Sequence, residues 1–182
     1  MKLSPEELIV IIDPQKDFTD IEGAYAKNHP DISQIQEVKA RINKLTKQFD
    51  QNRFVIIYSN YQKDQFGAGI SMCIQGTRGH EIDIDFDDAS QLISKTQHSS
   101  FSSEAFKIFL QRNNIRKLLL CGFLAEYCIK QTALDALQKG YEVNLLQEFI
   151  GTGNDVQERK QEMLVDLENK GATIVKDTFD CI

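Results

Sequence analysis

The stretch from Lys117 to Leu146 limits the possible folds more than any other part of the chain. It begins with a short apolar run, KLLLC, and the glycine that follows is typical of a buried strand entering a turn. From about Glu126 apolar residues recur at helical spacing until Gly140, a typical helix C-terminus. The last six residues predict a second strand. Because a strand-helix-strand connection is nearly always a right-handed crossover, this stretch predicts a parallel sheet.

The rest of the chain repeats this alternation of strand and helix. Apolar segments predict further strands at Leu8–Ile12, Phe54–Ser59, Gln91–Ser94 and Ala172–Val175. Helical spacing predicts one helix over about Ile32–Phe49 and a second from Ser102 or Ser103 to about Asn114. It predicts a third that begins at a capping box formed by Asp155 and Glu158 and ends at about Lys170. We therefore expect an α/β protein with a three-layer αβα, Rossmann-like fold around a central, mainly parallel six-stranded sheet. No linker or repeat divides the chain, so residues 1–182 are predicted to form one domain.

Charge and composition exclude several classes of partner. The 21 basic and 27 acidic residues leave a net charge of −6 without a basic block, so we expect neither nucleic acid nor a membrane surface as partner. No apolar run is long enough to cross a bilayer and the N-terminus lacks signal-peptide features, which favours the cytoplasm. The four cysteines show no paired metal-ligand spacing and are expected to be reduced thiols.

Three chemically useful residues follow different predicted strands. Asp13 follows the first strand, Lys95 the third, and Cys128 begins the helix after the fourth. Ligands of open parallel sheets bind at the carboxyl ends of the strands, so these side chains are expected to converge. The helix N-terminus favours a thiolate at Cys128. Taken singly, each also has an ordinary interpretation: a turn aspartate, a surface lysine and a small buried thiol.

Two polar segments separate the second and third strands. The glycine-rich stretch Asn60–His80 predicts a long loop, and loops of this length are usually functional. The acidic stretch Glu81–Asp88 lacks the glycine and terminal glutamate of a calcium-binding loop, so it is expected to be a solvated edge. A nucleotide-binding doubly wound domain is disfavoured because no glycine-rich fingerprint follows the first strand.

Four segments together resemble the isochorismatase-like cysteine hydrolases, which include nicotinamidases, N-carbamoylsarcosine amidase, ureidoacrylate and biuret hydrolases, and isochorismatase. The segments are IIDPQKDF (Ile11–Phe18), GTRGHEI (Gly76–Ile82), SKTQHSSF (Ser94–Phe101) and GFLAEYCIKQTALDALQKGYEV (Gly122–Val143). The resemblance implies a catalytic triad of Asp13, Lys95 and Cys128. It also implies a cis peptide bond between Phe123 and Leu124, and an oxyanion hole formed by the backbone N–H groups of Leu124 and Cys128.

The resemblance further implies a hydrolase acting on non-peptide carbon–nitrogen bonds. Cys128 would attack a small amide or ureido compound to form a thioester, with Asp13 as general base and acid and Lys95 as the residue that stabilises the thiolate. No cofactor is expected, and relatives suggest a homo-oligomer, a dimer or larger. Two alternatives stay open: vinyl-ether hydrolysis as in isochorismatase, for which the cysteine is dispensable, and a binding or assembly module without turnover.

Departures from the family pattern bear on the substrate. Nicotinamidases carry an Asp-x-His and a further histidine after the second strand as metal ligands, whereas Ser59–Gly67 contains no histidine, so no metal site is expected. Ala125 replaces the usual threonine, and Glu148-Phe149 replaces a common Asp-Ala. Aromatic residues are candidate walls of the substrate pocket, although each has a core or surface role as its alternative: Phe18, Tyr61, Phe101 and Tyr127.

Overall fold

Six parallel strands form a single sheet in the computed structural model, which describes residues 3–87 and 90–176. The strands are β1 (Glu7–Ile12), β2 (Phe54–Ser59), β3 (Gln91–Lys95), β4 (Lys117–Phe123), β5 (Glu142–Gly151) and β6 (Thr173–Val175). Their spatial order is β3-β2-β1-β4-β5-β6, and each neighbouring pair is parallel. The predicted six-stranded parallel sheet is therefore confirmed.

Helices cover both faces of the sheet. They are α1 (Lys16–Thr19), α2 (Ser33–Gln48), α3 (Glu104–Arg112), α4 (Lys130–Gln138) and α5 (Gln157–Asn169). Alternate side chains of β1 enter two separate cores: Ile9 and Ile11 pack with α2, while Val10 and Ile12 pack with α3, α4 and α5. Burial on both faces explains why β1 is a continuous apolar run, and it confirms the three-layer αβα fold.

The structure corrects two local predictions near the end of the chain. The predicted capping box is wrong, because α5 begins only at Gln157 and the Asp155 carboxylate instead lies 2.8 Å from His29 Nδ1. The second strand of the Lys117–Leu146 stretch is predicted too short, because β5 continues to Gly151. Its register with β4 shifts between Leu120 and Gly122, so residues 146–149 of β5 bulge from the ladder and carry the unusual Glu148-Phe149 pair.

The acidic segment before β3 is anchored to α2. The carboxylate of Asp83 lies 2.6 Å from Lys39 Nζ and that of Asp85 lies 2.8 Å from Lys47 Nζ. These ion pairs hold the acidic segment against α2. Asp88 lies outside the described residues. Cys73, Cys121 and Cys128 are free thiols, and Cys181 is also outside the described part. Within residues 3–87 and 90–176, no helix has the length and apolar character that a bilayer span requires.

Gly122 offers a test of how closely β1 and β4 pack. Its φ is +112°, and an alanine Cβ there would lie 2.1 Å from the Ile12 carbonyl oxygen. Gly140 has a similar φ of +83°, but a Cβ there would meet no atom within 4 Å. We expect Gly140→Ala to lower the free energy of unfolding by about 1 kcal/mol and Gly122→Ala by about 3 kcal/mol or more. Urea denaturation measures both changes, and equal losses would contradict the described strand contact.

Candidate active site

The candidate site lies at the carboxyl edge of the sheet, between the adjacent parallel strands β1 and β4, where the order of the strands along the chain changes direction. Such switch points leave a crevice between the connections that leave neighbouring strands. Asp13 immediately follows β1, and Cys128 lies five residues beyond the end of β4. Lys95 is the last residue of β3 and reaches the crevice from the edge of the sheet with its long side chain. The fold thus brings the three predicted residues to one place.

A fully buried ion pair forms the floor of the site. Lys95 Nζ lies 2.9 Å from Asp13 Oδ2, and both side chains are 0% exposed. The ammonium has four further neighbours: Ser59 Oγ at 2.8 Å, Tyr61 Oη at 2.9 Å, the Gln97 carbonyl oxygen at 3.0 Å and Cys128 Sγ at 3.4 Å. Burial by itself lowers the pKa of Lys95, but the charges of Asp13 and Cys128 outweigh it and the pKa is raised. Lys95 is therefore a cation at neutral pH.

Asp13 is oriented by neighbours that sequence reasoning did not identify. Its φ is +52°, and its Oδ1 accepts a 2.8 Å hydrogen bond from Ser59 Oγ. Gln15 fixes the end of β2, since its amide accepts from the Ser59 N–H at 2.7 Å and donates to the Ser59 carbonyl at 2.9 Å. Within the described residues, Asp13 Oδ2 makes no hydrogen bond besides its ionic contact with Lys95. This oxygen therefore keeps a lone pair free for a proton.

Cys128 lies in a π-helical turn, Ala125–Ile129, that joins β4 to α4. Such turns often occur at functional sites. The peptide bond between Phe123 and Leu124 is cis, at the position that the family resemblance implies. Leu124, the predicted oxyanion residue, borders the same cavity as Cys128.

Burial favours the thiol form of Cys128 over the thiolate. Burial, followed by the negative charge of Asp13, raises its pKa to about 12, although Lys95 and Tyr61 act in the opposite direction. Burial therefore opposes the thiolate that the helix N-terminus is expected to favour. A proton transfer to a neighbouring group would produce the thiolate, and the Lys95 ammonium contacts both this sulfur, at 3.4 Å, and the Asp13 carboxylate, at 2.9 Å.

A cavity of about 400 Å³ opens above the sulfur. Its lining is mostly aromatic and apolar: Phe18, Tyr25, Asn28, His29, Tyr61, Phe66, Ile70, Met72, His98, Leu124, Tyr127 and Cys128. The structure thus places three of the predicted wall residues, Phe18, Tyr61 and Tyr127, around Cys128. It places Phe101 elsewhere, in the core against Phe106 and Tyr141, because a short 3₁₀ turn at Ser100–Ser102 directs its ring inward.

Several wall residues were missed because they come from irregular segments. Phe66, Ile70 and Met72 belong to the long loop after β2, whose length was the only signal that it has a function. His98 stacks on Phe66 with 4.3 Å between ring centroids, and its Nδ1 lies 3.8 Å from Cys128 Sγ. Burial and then the Lys95 charge lower the pKa of His98, so this ring is neutral at neutral pH.

The comparison with known proteins identifies the family. The model of the isochorismatase domain matches residues 7–178. The chain belongs to the isochorismatase family. A secreted isochorismatase effector of Verticillium dahliae is 24% identical over 148 residues, which cover 80% of this chain and 73% of that protein. N-carbamoylsarcosine amidase of an Arthrobacter species is 32% identical over 83 residues, which cover 46% of this chain and 31% of that protein.

A solved member of the same fold contains a metal. Pyrazinamidase of Pyrococcus horikoshii, crystallised in complex with zinc, aligns with a TM-score of 0.78 and 25% identity over 94% of this chain and 99% of its own. The present chain does not offer a matching set of zinc ligands. Across its described part, no three His, Cys, Asp or Glu side chains cluster as ligands. After β2 the chain instead presents Asn60, Tyr61 and Gln62, and the Tyr61 hydroxyl is engaged by Lys95.

The buried ion pair generates a stability prediction. Lys95→Met leaves the Asp13 charge buried without a partner, and we expect a loss of about 3–5 kcal/mol in the free energy of unfolding. The double variant Asp13→Asn/Lys95→Met removes both charges and should lose clearly less than the sum of the two single variants. Urea denaturation of the full cycle measures this coupling, and additive losses would contradict it. The exposed pair Lys47–Asp85 is the control, where Lys47→Met should change stability little.

The raised pKa of Cys128 generates a prediction for thiol chemistry. Because only the thiolate is alkylated, the rate with iodoacetamide should rise about tenfold per pH unit from neutral pH to about pH 10 without reaching a plateau. A free thiol with an ordinary pKa of about 8.5 levels off within this range. Mass spectrometry of the Cys128 peptide provides the measurement. A plateau near neutral pH would show that the attacking thiolate forms without losing its proton to solvent, either at rest or by transfer to Asp13.

Proposed function

We propose that this protein is a cysteine hydrolase that cleaves the carbon–nitrogen bond of a small, uncharged amide or urea. The observation that carries the proposal is the contact of a buried aspartate–lysine pair with the Cys128 sulfur, 3.4 Å from Lys95 Nζ, at the base of a mostly apolar cavity. Two similar proteins, an N-carbamoylsarcosine amidase and a pyrazinamidase, support the same class of reaction.

The proposed reaction begins with a proton transfer inside the site. The Cys128 proton moves to the free lone pair of Asp13 Oδ2, and the thiolate that forms is stabilised by the Lys95 ammonium. The sulfur adds to the substrate carbonyl carbon, and the N–H groups of Leu124 and Cys128 receive the developing oxyanion. The carbon–nitrogen bond breaks as Asp13 returns the proton to the leaving nitrogen. Asp13 then deprotonates a water molecule, which hydrolyses the thioester.

The cavity lining favours an uncharged substrate. Its twelve lining residues include no lysine, arginine, aspartate or glutamate. Lys95 lies beneath the cavity with its charge already balanced by Asp13, so a carboxylate on the substrate would be desolvated without a cationic partner. Aromatic walls, in contrast, suit a flat or apolar group attached to the amide. The same reasoning weighs against vinyl-ether hydrolysis of isochorismate, because that substrate carries two carboxylates.

Ammonia release from a matched panel of compounds tests the proposal. We expect turnover of small neutral amides and ureas, and little turnover of analogues that carry a carboxylate. Cys128→Ala should lower kcat by a factor on the order of a thousand or more, because the covalent route is lost. Mass spectrometry of wild-type protein quenched during turnover should show an acyl adduct on Cys128.

Cys121→Ala is the matched control, since it removes a buried thiol from β4 that does not line the cavity. It should retain turnover. Full amidase activity in Cys128→Ala would refute nucleophilic catalysis. Isochorismate turnover that survives Cys128→Ala would select the vinyl-ether reaction instead, and a folded protein that turns over neither group of compounds would favour a binding module.

A further inference from the structure

The hydroxyl group of Tyr61 lies among the reacting groups, although the triad does not account for it. Tyr61 Oη lies 2.9 Å from Lys95 Nζ and 3.5 Å from Cys128 Sγ. The residue is only 4% exposed, so water does not compete freely for these contacts. Tyr61 contacts both Lys95 and the sulfur, whereas the other aromatic residues that line the cavity do not reach both groups.

The surroundings hold Tyr61 in one orientation. Its backbone N–H donates to the Cys73 carbonyl at 3.3 Å, which ties it to the far side of the long loop. Its ring packs edge-on against Phe66 at 4.8 Å between centroids and against His98 at 6.3 Å. The hydroxyl therefore reaches the sulfur from a fixed support and needs little reorganisation during a reaction.

Counting protons defines the direction of each hydrogen bond. The Lys95 ammonium can only donate, so Tyr61 Oη is the acceptor in that contact and keeps its own proton for another partner. Two acceptors lie within reach at 3.5 Å each, Cys128 Sγ and the Gln97 carbonyl oxygen. The Gln97 oxygen already accepts from Lys95 at 3.0 Å. An ionised sulfur is the stronger acceptor of the two, because charge-assisted hydrogen bonds are stronger than neutral ones.

We propose that Tyr61 is a fourth catalytic residue, whose hydroxyl donates a hydrogen bond to the Cys128 sulfur when that sulfur becomes a thiolate. The phenol stays protonated throughout, since burial and the charges of Asp13 and Cys128 raise the pKa of Tyr61 above its ordinary value. No bond to carbon is made or broken by Tyr61. Its proton points to the thiolate before attack, to Gln97 once the thioester has formed, and again to the sulfur as the thioester is hydrolysed.

This interaction favours the ionised sulfur over the neutral thiol, so it lowers the barrier more than it strengthens substrate binding. Lys95 polarises the same hydroxyl from its other side, which makes Tyr61 a better donor than an isolated phenol. The inference rests on the proposed nucleophilic role of Cys128. It differs from a role in lining the cavity. Lining the cavity requires the aromatic ring of Tyr61, whereas the proposed role requires its hydroxyl group.

Alkylation of Cys128 tests the inference without a substrate. Tyr61→Phe keeps the ring and removes the donor, and we expect its iodoacetamide rate at Cys128 to fall about tenfold or more at each pH below the pKa of the thiol. Tyr141→Phe, which removes a phenol just before β5 at the opposite edge of the sheet, should react at the wild-type rate. An unchanged rate in folded Tyr61→Phe would overturn the inference.

A second variant is expected to change the alkylation rate in the opposite direction, and this test does not depend on the stability of Tyr61→Phe. A tyrosine fluorinated beside its hydroxyl, placed at position 61, is a stronger donor and should speed the alkylation of Cys128. An equal or slower rate would overturn the inference. With any amide that is turned over, Tyr61→Phe should lower kcat by a similar factor and leave KM nearly unchanged. If no amide is turned over, the proposed function fails, while the alkylation rates still decide whether Tyr61 stabilises the thiolate.

Discussion

The buried contact between Asp13 and Lys95 is the constraint on which the site depends. Isolated charges are costly in a region without water, but here the carboxylate and the ammonium lie 2.9 Å apart with neither side chain exposed. With a neutral Cys128 the three groups carry no net charge, and they carry none after the sulfur proton has moved to Asp13. The desolvation that raises the pKa of the thiol opposes loss of its proton to solvent, whereas internal transfer conserves the total charge. Cys128 can therefore be a neutral thiol at rest and still become a reactive thiolate during turnover.

Hydrogen bonds from neighbouring residues fix the positions of the two charged groups. Ser59 donates to Asp13 and accepts from Lys95, so one hydroxyl sets the orientation of both charged groups. Gln15 in turn fixes the backbone of Ser59 through two hydrogen bonds. Because these residues end or follow the central strands β1 and β2, the rigid middle of the sheet determines where the proton acceptor lies.

Sequence patterns predicted the features that depend on one element at a time. Continuous apolar runs located the strands and placed Asp13, Lys95 and Cys128 after three of them, at the edge of the sheet where the structure finds them. Features that depend on several elements were missed or mistaken. The ionisation state of Cys128 reflects a balance of burial and charge, and the extension of β5 reflects its bulged register with β4. The polar contacts of Gln15, Ser59 and Tyr61 join segments up to 67 residues apart, and no local pattern signals them.

The residues of the cavity come from two kinds of segment, the ends of regular elements and an irregular connection. The reacting groups are attached to strand ends and a helix start, whereas Phe66, Ile70 and Met72 come from the irregular connection between β2 and β3. Surface connections tolerate insertion and substitution far better than central strands do. Evolution, or an engineer, can therefore remodel which molecules enter by rewriting this one connection while the chemical machinery stays intact.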